Sequence, residues 1–146
     1  MRDSSYEEIE HTADWAIRVR GRDLAELFAA AARGMFSLLT DLSAVEARRE
    51  IELDLRAIDT ETLLVDWLNE LLYLSEQRQI VFNEFEIIQL DEPAAGRIER
   101  VARLRARVAG GPVPGGLRKV IKAATFSSLA IDRDAAAYST EIVFDV

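Results

Sequence analysis

Hydrophobic positions recur at helical spacing over residues 60–79 and alternate with polar ones on either side, and this contrast organises the chain. In TETLLVDWLNELLYLSEQRQ, Leu63, Leu64, Trp67, Leu68, Leu71 and Leu74 step by three and four along one helical face. Val65 and Leu72 broaden it, so Asp66, Asn69, Tyr73 and Glu76 form the only strip left for solvent or a partner. A face this wide predicts a helix pressed against a sheet. Asp59 or Thr60 can cap its first turn, and Glu61 suits the positive end of its dipole. Burying the six large side chains contributes roughly 1.5–3 kcal/mol each before the ordering entropy is subtracted.

Before this helix, residues 6–10 and 15–20 alternate in the manner of short strands, and Gly21 ends the second. Asp23 followed by Glu26 predicts a capping box opening an amphipathic helix that ends near Thr40. Leu24, Leu27, Phe28, Ala31, Met35, Leu38 and Leu39 are its apolar stripe, with an alanine-rich opposite side. Ile51, Leu53 and Leu55 alternate with charged residues in a half-buried strand. Residues 80–90 and 98–108 read as a hairpin about the turn signal DEPAAG. GGPVPGG, residues 110–116, reads as a loop, and two strands over 119–131 and 137–145 complete the chain, with a break at Ser127 and Ser128. These elements predict an α+β fold, two main helices packed on one face of a mixed six- or seven-stranded sheet.

Composition narrows the function. The 146 residues and 49% hydrophobic content suit a single domain spanning 1–146. No run approaches the ~18 apolar residues of a membrane span, and MRDSSYEEIE has no signal-peptide character, so a soluble, cytoplasmic protein is expected. The absence of cysteine removes thiolate zinc sites and thiol nucleophiles, and the single histidine leaves little for zinc. A net charge of -8 argues against broad nucleic-acid binding while allowing a local basic strip.

Two places invite chemistry. Asp14 stands at the entrance of a strand, where its ordinary role is a turn or cap; Asp145 and Val146 close the last strand. If the last strand pairs near the first, these carboxylates converge and call for a hard, oxygen-preferring cation such as calcium or magnesium. Lys122 interrupts an apolar stretch, where it either pairs with one of these carboxylates or snorkels to the surface. His11 is a candidate ligand or base, with a structural hydrogen bond as the simpler reading. Arg97, Arg100, Arg103, Arg105 and Arg107 form a basic strip that can follow phosphates, or pair with Glu52 and Asp54, or Glu84 and Glu86, on a neighbouring strand.

Three pieces, HTADWAIRVRG, LLVDWLNELLYL and the closing IVFDV, resemble the archease family in order and spacing across nearly the whole chain. The resemblance implies a non-catalytic protein that activates a GTP-dependent RNA ligase of the tRNA-splicing and RNA-repair type, promoting guanylylation and multiple turnover, with RNA met through the ligase. It also implies a calcium-type site at Asp14 and Asp145 with an oxygen of Val146, and a partner-activating role for Asp14, Lys122 and Asp145, with His11 in support. Two departures stand out: KAATFSSL carries Ser127 where the family often has histidine, and Trp15 replaces an aliphatic residue. The competing readings are a metal-dependent hydrolase with an Asp14/Asp145-bound ion and His11 as base, and an RNA-binding chaperone acting through the arginine strip.

Overall fold

Trp67 is fully buried and donates its indole N–H to the carbonyl of Phe28 over 3.0 Å, a bond that joins the two helices within the core. The structure, a computed structural model, describes residues 4–10, 15–94, 100–117, 120–126 and 129–146. Strands β1 (Ser5–Glu10) and β2 (Trp15–Gly21) are followed by helix α1 (Leu24–Leu39), a 3-10 turn at Leu42–Ala44, strand β3 (Arg49–Ala57) and helix α2 (Thr60–Arg78). Strands β4 (Val81–Asp91), β5 (Ala102–Gly111), β6 (Ala123–Ala124), β7 (Asp132–Arg133) and β8 (Tyr138–Asp145) complete the order.

The fold is α+β, with both helices packed on sheets. Among the described residues the strands number eight and pair antiparallel throughout, in two sheets rather than one mixed sheet. The first runs β1-β2-β8-β6, with β7 also on β8; the second runs β3-β5-β4. A two-residue period marks a strand without stating its direction or its sheet, so this division lies beyond what alternation specifies.

Helix α1 touches β2 in one sheet and β4 in the other. That position explains why Ala30 and Ala32 are buried along with Ala31 of the apolar stripe, where the amphipathic pattern predicts an exposed alanine-rich opposite side. Short side chains let α1 approach both sheets closely. Asp23 caps α1 by accepting from the Glu26 amide (2.8 Å), but Glu26 returns to the amide of Arg22 (3.0 Å) instead of that of Asp23, so the capping box is open by one residue. Helix α2 is capped by Asp59, which accepts from the Thr62 amide (2.7 Å), and ends at Gln79 in the left-handed region with φ 55°. Its Leu63, Leu64, Trp67, Leu68 and Leu71 are fully buried. Around them Phe36 stacks on Phe85 at 6.0 Å, and Trp67 meets Phe85 edge-on at 6.5 Å.

Gly110 and Gly111 belong to β5, not to the loop that their glycine-proline context predicts. A Cβ on Gly110 would lie 2.1 Å from the Val81 carbonyl oxygen, and one on Gly111 2.0 Å from that of Glu46. These glycines are required by close backbone approach. Among the described residues of the predicted strand over 119–131, only Ala123 and Ala124 are strand, with β7 following at Asp132. Ala124 spends its outward polar groups on α2: its amide donates to Asn69 Oδ1 (2.8 Å) and its carbonyl accepts from Asn69 Nδ2 (3.2 Å). A side chain thereby closes the sheet edge that another strand would otherwise extend.

Candidate functional site

The last strand lies between β2 and β6, so its C-terminal end gathers residues from three distant stretches of chain. Trp15 pairs with Phe144, Ala123 pairs with Asp145, and the Lys122 amide donates to the Asp145 carbonyl over 2.8 Å. Ile142, Val143 and Phe144 are buried, after which Asp145 and Val146 emerge into solvent. The pattern on the other strand is similar: Ile121 is buried and Lys122 is exposed. Thr125 fastens the second strand, its amide and hydroxyl both donating to the Val143 carbonyl at 3.0 Å. The register therefore brings Lys122 and Asp145 together through their main chains and leaves both side chains free to reach outward.

Asp14 and His11 lie outside the described residues, as does Ser127; the register fixes only Trp15, the next residue after Asp14. Among the described residues no three His, Cys, Asp or Glu side chains form a metal-holding group. Asp145 offers an exposed carboxylate, and Val146 beside it offers main-chain oxygen. Oxygen donors of this kind suit a hard cation such as calcium and do not suit a soft one.

The arginine strip is engaged. Arg103 binds Asp54 with two nitrogens at 3.2 and 2.9 Å, and Arg107 meets Glu50 at 3.3 Å, Glu52 at 3.0 Å and Glu86 at 2.9 Å. The Arg103 hydrogen bond holds the Asp54 carboxyl below its ordinary range, and the Glu52 hydrogen bond with the surrounding carboxylates raises Arg107. These are the cross-strand pairs that β3 and β4 offer to β5. Arg100 and Arg105 are exposed, and Arg97 lies outside the described residues.

Asn69 is the positioning residue that the pattern of the chain does not reveal. The helical period assigns it to a strip for solvent or a partner, yet its amide holds both polar groups of Ala124, one residue beyond β6's start and two beyond Lys122. The available signal is a short amide side chain between the buried Leu68 and Leu71 of the apolar face. Glu61, in the first turn of the same helix, accepts from the Ile131 amide at 3.4 Å and ties α2 to the chain between β6 and β7.

Comparison with known proteins places this arrangement in context. The model described as the archease protein family (MTH1598/TM1083) matches residues 6–146. A protein archease of Methanosarcina mazei is 34% identical over 144 residues, covering 97% of this chain and 95% of that protein. One from Methanopyrus kandleri is 33% identical over 141 residues, covering 97% and 99%. The solution structure of Methanobacterium thermoautotrophicum protein 1598 is similar, with a TM-score of 0.81, 29% identity, and coverage of 97% of this chain and 98% of that one. The crystal structure of a Thermotoga maritima archease, described as a possible chaperone, shares the fold with a TM-score of 0.58 at 23% identity over 96% of each chain.

Proposed function

The chain belongs to the archease protein family, and on that premise we propose that it is a non-catalytic cytoplasmic cofactor of a GTP-dependent RNA ligase, promoting the ligase's guanylylation and repeated turnover in tRNA splicing or RNA repair. The observation that carries this reading is the joining of Lys122 to Asp145 at the exposed end of β8, on a tightly packed scaffold. An exposed lysine and an exposed aspartate whose main chains are joined can meet the phosphates and metal ions of a nucleotide site in another protein.

A calcium-type ion would be held by Asp14, Asp145 and Val146, and would supply positive charge toward phosphate oxygens. The chain's own contribution is placement. The β6–β8 pairing and the Lys122–Asp145 hydrogen bond set the positions of the two residues, Asn69 ties β6 to α2, and these strands rest on the buried core. RNA is then met through the ligase. The carboxylates around Arg103 and Arg107 favour this over a direct RNA-binding strip, because those guanidinium groups already have partners.

Multiple-turnover joining of a cleaved RNA by the purified ligase tests the proposal. Product should exceed one equivalent per ligase only when the chain is present, and the chain alone should neither join RNA nor hydrolyse phosphoesters. Hydrolysis by the chain alone would support a metal-dependent hydrolase in its place.

A further inference from the structure

An open groove of about 730 Å³ runs between the second half of α2 and the segment leading through Val113 into β6. Tyr73, Leu117 and Val120 line it and are 56%, 47% and 68% exposed, so three large apolar side chains meet water on one concave surface. Scattered apolar residues are common on protein surfaces, whereas several lining one groove mark a place that another molecule covers.

The groove also has polarity. Lys122 lies at the end where Asn69 holds Ala124, and Glu76 lines it seven residues further along α2, about 10 Å away at 1.5 Å per residue. It is therefore cationic near the Asp145 edge, apolar in the middle and anionic at the far end. Lys122 belongs to both features, lining the groove and bonding Asp145 through its amide.

We infer that this groove is the docking surface for a protein segment of the ligase whose apolar side chains fill it, with an acidic group at the Lys122 end and a basic group at the Glu76 end. The inference rests on the proposed function and adds a binding surface that adjoins the acting edge and shares Lys122 with it. From Asn69 to Gln79 the groove follows α2 for about 15 Å, a length that suits roughly three turns of helix or four to five extended residues. Helix-in-groove recognition needs this combination of apolar lining and oriented charge. A polyanion such as RNA would meet Glu76 within the groove and a chain whose net charge is -8. One wall depends on Gly115 and Gly116, whose φ angles of +80° and +81° place Leu117 at the rim in a conformation that other residues rarely adopt.

Titration calorimetry of the purified ligase against wild type, Leu117→Asp, Val120→Asp and Asp145→Asn tests the inference, with thermal melts verifying that each variant is folded. Each groove variant should weaken ligase binding by about tenfold or more, as loss of a central apolar contact does, while Asp145→Asn should lose activation and keep its affinity. Undiminished affinity of both groove variants, with wild type still activating the ligase, would overturn the docking surface and leave the proposed function standing. Absence of any binding by wild type would overturn both. Loss of affinity for a single-stranded RNA oligonucleotide, with ligase affinity intact, would reassign the groove to RNA and overturn the inference.

Discussion

Asn69 of α2 holds both main-chain polar groups of Ala124, accepting from its amide at 2.8 Å and donating to its carbonyl at 3.2 Å. One side chain thus ties the buried helix to the short strand that follows Lys122. Asn69→Leu keeps the branched shape with somewhat more bulk and removes both bonds, leaving two polar groups of Ala124 without these partners. A loss of about 1–3 kcal/mol is expected in denaturant melts. Hydrogen exchange should quicken at Ala124 and Thr125 well before the rest of β8; unchanged protection there would show that β6 is held by other contacts.

Trp67→Ala should cost roughly 3–5 kcal/mol, because a fully buried ring is removed between α1, α2 and Phe85 and the site can collapse only in part. Trp67→Phe isolates the hydrogen bond to Phe28 more closely, and should cost less than the alanine variant. Urea melts of the pair measure the difference. A loss below about 1 kcal/mol for Trp67→Ala would place the residue outside the energetic core.

Two aspartates on α2 should respond to pH in opposite senses. The Thr62 hydrogen bonds hold Asp59 below its ordinary range, so its folded pKa is depressed: the stability it adds is present above the unfolded value and is lost as pH falls through the folded one. Asp66 is pushed up by burial, although its outer edge meets solvent; the folded state then favours the protonated form, and stability falls as pH rises from the unfolded toward the folded pKa. Asp59→Ala should therefore destabilise at pH 7 by about 1 kcal/mol, as loss of an N-cap does. Asp66→Asn should stabilise at pH 7, and that gain should vanish below about pH 4, where the unfolded carboxyl is also protonated. Melting temperatures across this range decide both signs.

Much of the scaffold is legible in the chain because burial and periodicity coincide. The leucines and Trp67 of α2, the half-buried alternation of β3 and the β4–β5 hairpin all follow directly from spacing. The rest depends on partners that local pattern does not contain. Ala30 and Ala32 are buried because α1 packs on both sheets, Gly110 and Gly111 serve close approach instead of a turn, and the outer edge of β6 is closed by Asn69 instead of a further strand. At the candidate site, Lys122 and Asp145 were singled out by type and position, while their shared hydrogen bond arises from an antiparallel register set across 23 residues.

A hard divalent cation bound at the β8 edge should raise the melting temperature of wild type with the logarithm of free ion once the site fills, a stabilisation of about 2.7 kcal/mol when free ion is 100 times its dissociation constant. Calcium titrations followed by thermal melts should show this rise in wild type and lose it in Asp14→Asn and Asp145→Asn. Equal stabilisation of all three proteins would place the ion elsewhere.

Under the proposed function, Lys122 and Asp145 act on the ligase from a scaffold that does not depend on them. Both side chains are exposed, so Lys122→Ala and Asp145→Ala should melt close to wild type, within the ~0.5 kcal/mol usual for surface changes. The direct measurement is the rate at which the ligase takes up labelled guanylate from GTP with each folded variant. Wild type should accelerate guanylylation and both variants should lose most of that acceleration; full acceleration by both variants, or none by wild type, would contradict the account.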